Sequence, residues 1–148
     1  MANSTQYAKT VAASPSKIST TELHGRVRVA YADFTADAAQ ETINMFKLPD
    51  GARIIGGRLN HANLGTSTTV SVGHAAYTQA DGTVVALDVD EYKAAAASTS
   101  AIGSNIAATT ALGENSLVDA PDGLIVTATT SGGDATGLIT VQMTYVLD

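Results

Sequence analysis

The sequence predicts an all-β protein, a β-sandwich or jelly-roll-like body carrying one short helix and an extended N-terminal arm over residues 1–24. Three observations point there. Apolar and polar residues alternate with the period of a strand in several short runs, Gly, Asp and Pro turn chemistry separates the runs, and a single segment carries helix-start signals. A chain of 148 residues suits one domain that folds alone, so residues 25–148 are expected to form a single sandwich.

Residues 1–24, MANSTQYAKTVAASPSKISTTELH, are rich in Ser, Thr and Ala, include Pro15 and show neither helical nor strand period. They have too little apolar surface to offset their own ordering entropy, which predicts an arm that orders only where a neighbour holds it. From Gly25 the pattern changes. Val27, Val29 and Tyr31 alternate with Arg26, Arg28 and Ala30 as in a half-buried strand, which puts the arginines on its solvated face. TINMFKL at 42–48 reads as a second strand, and Pro49-Asp50-Gly51 predicts a reversal into ARIIGGRL and hence a hairpin.

STTVSVGHAAY then places Val70, Val72, His74 and Ala76 on one face and Ser71, Gly73, Ala75 and Tyr77 on the other. The turn at Asp81-Gly82 leads into TVVAL, which predicts a second hairpin. The helix is expected in DVDEYKAAAAS, residues 88–98. There Asp88 can cap the first turn, Glu91 completes a capping box, and Asp90 and Glu91 suit the positive helix end. Residues 99–119 are small and polar and read as a crossing loop, with room for a brief turn or strand. GLIVTATT at 123–130 turns through SGGDATG into LITVQMTYVL, where Ile139, Val141, Met143, Tyr145 and Leu147 share one face. These terminal segments are expected to form a hairpin, and the last run is the cleanest alternation in the chain.

Composition narrows the function. Hydrophobic residues make up 45% of the chain while aromatics are only 5% and Trp is absent, so the core is aliphatic and thin. Large aromatics dominate burial energetics, and a domain short of them gains by burying further surface between subunits, which favours a homo-oligomer. A net charge of −6 with eight scattered basic residues counts against a face that neutralises phosphates, so no direct nucleic-acid partner is expected. Without Cys there is no disulfide framework and no thiolate nucleophile. No run approaches the roughly 20 apolar residues of a membrane span, and residues 1–24 lack the apolar block of a signal peptide.

Three constellations could carry chemistry. Gly56-Gly57 is not followed by a helix start and belongs to no G-K-[ST] or G-x-G-x-x-G pattern, so it reads as a bulge or bend in a sheet rather than a phosphate loop. His61 and His74 could approach each other across neighbouring strands. Neither these nor His24 has a carboxylate at a metal-ligand spacing, however, and a metal site needs three or four ligands. Asp88, Asp90 and Glu91 resemble half a calcium loop but lack its regular oxygen ligands and central Gly. No G-x-S-x-G elbow occurs. Catalytic, cofactor-binding and metal residues are therefore not expected, and the chain does not read as an enzyme.

The order KLPDGARIIGGRLNHANLGTSTTVSVG, DVDEY and GDATGLITVQMTYVL, spanning about Thr42 to Asp148, resembles small virion structural proteins of tailed bacteriophages. The resemblance implies a capsid decoration, or cement, protein on the outside of the phage head. Such a protein clamps neighbouring subunits of the major capsid protein, commonly as a trimer, and would be made in the host cytoplasm. It carries over no catalytic residue. Two other readings stand beside it: a neck, tail or head-fibre base component of a virion, and a carbohydrate-binding β-sandwich.

Overall fold

The computed structural model describes residues 25–37 and 40–147. The expected arm at residues 1–24, with His24, lies outside them. Ten strands follow in order: β1 Val27–Asp37, β2 Thr42–Leu48, β3 Arg53–His61, β4 Thr69–His74, β5 Tyr77–Thr78, β6 Val84–Val85, β7 Asp88–Ala97, β8 Ile102–Ile106, β9 Leu124–Ser131 and β10 Thr136–Val146. Among the described residues the helical content is one 3-10 turn at Thr110–Leu112.

Eight of these strands form two four-stranded antiparallel sheets, ordered β1-β10-β3-β8 and β2-β9-β4-β7, and β5-β6 is a separate two-stranded ribbon. Apart from β4 to β7, every connection between strands of the two main sheets crosses from one layer to the other. This is a jelly roll, an all-β solution in which two sheets close over one core. Ile54, Leu59, Ile106, Ile139, Val141 and Met143 from the first sheet meet Leu48, Val70, Val72, Leu124 and Val126 from the second, all buried. Each such side chain contributes about 1.5–3 kcal/mol when taken fully out of water. Phe34 and Phe46 only flank this core, which is as aliphatic as the composition implies.

The crossing connections overturn two expected hairpins. Pro49-Asp50-Gly51 does turn the chain, with the Ala52 amide donating to Pro49 O at 3.3 Å and Gly51 at φ 75°. But β2 pairs with β9 and β3 pairs with β10 and β8, so the turn is an arch between layers. Likewise β9 and β10 belong to different sheets. The second expected hairpin exists only as the short β5-β6 ribbon around Asp81-Gly82, where Asp81 Oδ1 accepts from the Thr83 amide at 2.8 Å. Turn chemistry fixes a reversal of the chain and says nothing about which layer it enters.

The expected helix at residues 88–98 is a strand. Residues of β7 pair with β4 from Thr69↔Ala97 to His74↔Asp88, with a register shift between Val72↔Lys93 and His74↔Asp88 that leaves residues 89–92 in a bulge. The capping signal was locally sound: Asp88 Oδ1 accepts the Asp90 amide at 3.0 Å, the bond an N-cap would make. It opens a bulge instead, because a segment this short is marginal as an isolated helix and the edge of β4 offers a full ladder of partners. Gly73 makes room for the bulge: a Cβ there would strike the backbone of Asp88, Val89 and Asp90.

The first strand has the opposite face inward from the one expected. Ala36 is buried and Ala30, Ala32 and Phe34 are partly buried, whereas Val27, Val29 and Tyr31 are exposed. The set beginning at Val27 runs on into Asp33 and Thr35, which resist burial. The set beginning at Ala30 is apolar to its end.

Candidate interaction surface

The glycine pair is structural. Thr144 pairs with Gly56 and Tyr145 with Ile54, so Ile55 is the extra residue of a β-bulge in β3, and Gly56 sits at φ 138°. Gly57 lies where a Cβ would meet the Gln142 carbonyl oxygen and the Ile106 side chain. One permits the backbone angle and the other permits close approach of β10 and β8. Strand, not helix, follows both, so no row of free amides is aimed at an anion.

The two described histidines do not meet. His61 ends β3 in the first sheet beside Ile139, and His74 ends β4 in the second beside Val126. Their Nδ1 atoms lie 2.8 Å from Ala62 O and 2.9 Å from Ala75 O respectively; a carbonyl only accepts, so Nδ1 carries the proton in both rings. His74 packs edge-on against Tyr77 at 5.3 Å between ring centroids and lies 6.2 Å from Tyr92. Among the described residues no group of three or more His, Asp or Glu side chains is placed to hold a metal ion.

Around the bulge, electrostatics follow the hydrogen bonds. The Asp90 amide donating to Asp88 holds that carboxyl below the ordinary carboxylate range, and nearby His74 acts in the same direction. The hydrogen bond with Asp88 pushes Asp90 the other way, upward. Burial, then the charge of Glu91, raises the Tyr92 phenol. Burial also raises Tyr77, with Asp119 and Glu91 adding to it. This arrangement fixes a strand in place. Two surface hollows are open clefts, one at the Pro49 arch bordered by Lys47, Asp50 and Asp122 and one on the first sheet bordered by Arg58, Asn105 and Gln142.

What the surface does offer is contact. Val27, Val29 and Tyr31 of β1 are 62%, 55% and 61% exposed, and Val84, Leu87 and Leu117 are also exposed. Among the described residues the β1 strand is an edge of its sheet, with β10 on one side only. An unpaired edge beside exposed apolar side chains is a site for association unless something covers it. Sequence reading missed this stripe because it assigned those residues to the core; the unbroken Ala30, Ala32, Phe34, Ala36 series was the signal that could have found it.

No protein-family model matches the chain, and no curated protein matches it by sequence. Solved structures do match. A chain of the capsid asymmetric unit of cyanophage Pam1 is similar at 24% identity with a TM-score of 0.61, over 84% of this chain and 86% of that one. A chain of the capsid of Ralstonia phage GP4 is similar at 22% identity and TM-score 0.62, with the same two coverages of 84% and 86%. One from the acid-stable capsid of Helicobacter pylori bacteriophage KHP30 is similar at 18% identity and TM-score 0.55, over 82% and 87%. The jelly roll described above is therefore a fold this chain shares, across nearly the whole of both partners, with proteins built into phage capsids.

Proposed function

We propose that this chain is a virion structural protein that decorates the outside of a phage head and stabilises contacts between major capsid protein subunits as a homo-oligomer, with a trimer favoured. The observation that carries the reading is the near end-to-end likeness of its jelly roll to chains of three phage capsids. Two properties of the chain support it. Its net charge of −6 suits an outer surface better than one lined by DNA, and its exposed β1 edge is built for contact rather than for chemistry. A single jelly roll with a thin aliphatic core would add stability by gripping neighbours. Residues 1–24 would bind across the capsid lattice, by strand addition or by lying on a subunit. Many weak contacts of an oligomer then act as one tight attachment.

The test is attachment to purified heads. The full chain should saturate them at a copy number comparable to that of the major capsid protein, and removal of residues 1–20 should leave a folded body that no longer decorates. Full occupancy by the truncated protein would reject the role of the arm. A copy number that is a small fraction of the major capsid protein would point to a neck or tail position.

A further inference from the structure

One cross-strand row crosses the whole outer face of the first sheet. Tyr31 of β1, Gln142 of β10, Arg58 of β3 and Asn105 of β8 stand opposite one another in register, one from each strand. Val141, Met143, Leu59 and Ile106, which neighbour them in sequence, are buried in the core, so the row itself points to solvent. Each of its side chains ends in a planar polar group: a phenol, two amides and a guanidinium. With strands about 4.8 Å apart, the row is about 14 Å long.

The guanidinium is held in place. Arg58 Nε donates to Asn60 Oδ1 at 3.0 Å, and Gly103 on β8 leaves room for both groups, since a Cβ there would strike Asn60 Oδ1 and Arg58 Nη2. Among the described residues the Asn105 and Gln142 side-chain amides and the Tyr31 hydroxyl have no hydrogen-bond partner, so their donors and acceptors are open to a ligand. A trough runs beside the row. The adjacent row is Val29, Thr144 and Gly56, and nothing stands within 4 Å of where a Gly56 side chain would begin. The resulting hollow, of about 340 Å³, is bordered by Arg58, Asn105, Gln142 and Thr144. A second hollow, of about 270 Å³, shares Ile55, Gly56, Gly57 and Asn105 with it and runs on to Glu114. The Ile55 bulge and Ala107, which holds φ 47°, both border this second hollow. Bulges and strained backbone gather beside functional sites, where they re-aim side chains.

We propose that this row and its trough bind a saccharide lying across the strands, about three pyranose rings long to match the row. Amides and a fixed guanidinium present donors and acceptors side by side, the pattern that neighbouring ring hydroxyls satisfy. Tyr31 supplies an apolar ring face at one end of the row, with a polar tip beside it. Asp33, in the next row, and Glu114, at the far rim, offset the charge of Arg58. The face therefore suits an uncharged ligand, and a chain of net charge −6 repels polyanions. This site goes beyond the proposed function and does not rest on it.

A printed array of bacterial and plant oligosaccharides, probed with the full chain, should identify neutral binders. Titration with the best trisaccharide should then shift the NMR signals of the Asn105 and Gln142 side-chain amides and of Arg58 Nε–H, and leave those of the second sheet in place. Asn105→Ala and Gln142→Ala should each weaken binding roughly tenfold, the loss expected for one or two hydrogen bonds, with an unchanged circular dichroism spectrum. Arg58→Lys keeps the charge but loses the planar fork, and should weaken it comparably. Val84→Ser, on the β5-β6 ribbon, should bind as the parent does. An array without a neutral binder, binding confined to anionic probes and abolished by salt, or shifts confined to another face would each overturn the inference. A chain that coats heads and binds no saccharide sinks this site alone; one that binds saccharide and ignores heads sinks the decoration role alone.

Discussion

Strands β10 and β1 lie side by side in register from Val27↔Val146 to Asp37↔Thr136, yet one was read correctly from its alternation and the other upside down. In β10, Ile139, Val141 and Met143 are fully buried as expected. In β1 the bulkier set, Val27, Val29 and Tyr31, faces solvent and the alanine set faces the core. The period of a strand says that it has two faces and not which one is inward. Residue size is the weaker guide, because a single Asp further along the same face costs more to bury than several alanines lose by being small. The position of the strand matters as well: β10 is flanked by β1 and β3, while among the described residues β1 has a neighbour on one side only.

The sharpest way to break that comparison is to truncate one side chain from each strand. Met143→Ala should cost about 2–5 kcal/mol in urea unfolding, as expected for an unfilled cavity between the sheets. Val29→Ala should change stability by no more than about 0.5 kcal/mol, the range of exposed substitutions. Equal losses in the two variants would mean that β1 buries its valine face and that the contact surface described above does not exist.

The glycines extend the comparison from side chains to backbone, with smaller effects. Gly73→Ala should cost about 1–3 kcal/mol, because the added carbon meets the backbone of the β7 bulge, which cannot swing away as a flexible side chain would. Gly56→Ala should cost about 1 kcal/mol for a different reason: nothing lies within 4 Å of the new carbon, but φ is 138°. Thermal melts of both variants check this, and a Gly56→Ala loss larger than that of Gly73→Ala would contradict the close approach of β7 to β4.

Much of the sandwich was legible because its evidence is local. TINMFKL marks the full extent of β2, and the glycine pair in ARIIGGRL signals the bulge in β3. Partnership was not legible. Pro49-Asp50-Gly51 looks the same whether it closes a hairpin or arches between layers, and only the paired registers distinguish the two. The short strand β8 hid in a run of small polar residues because it pairs beside β3 in the same sheet, where Gly103 is crowded by the Arg58 and Asn60 side chains. The contact surface was half visible. Val27, Val29 and Tyr31 stand out as the bulky set, and only Asp33 and Thr35 further along the same set indicate that this face is turned to solvent.

That misread helix supplies the finest test, since its two aspartates respond to acid in opposite directions. Asp88 is held below its ordinary value of 3.8 by the Asp90 amide, so its contribution is present above that value and fades as pH falls through the lower folded one. Asp88→Ala should therefore cost about 0.5–1.5 kcal/mol at pH 7, the worth of one hydrogen bond, and less at pH 3. Asp90 is pushed above its ordinary value of 3.8, chiefly by its hydrogen bond with Asp88, so its contribution is present at low pH and lost as pH rises. Asp90→Asn should accordingly be slightly more stable than the parent at pH 7, by no more than about 2 °C in melting temperature given the exposure of the site. The advantage should vanish as the pH is lowered past the carboxylate range. If residues 88–98 were a helix after all, Asp90 would sit in a favourable first turn, Asp90→Asn would lower stability at pH 7, and the sign of this smallest effect would decide between strand and helix.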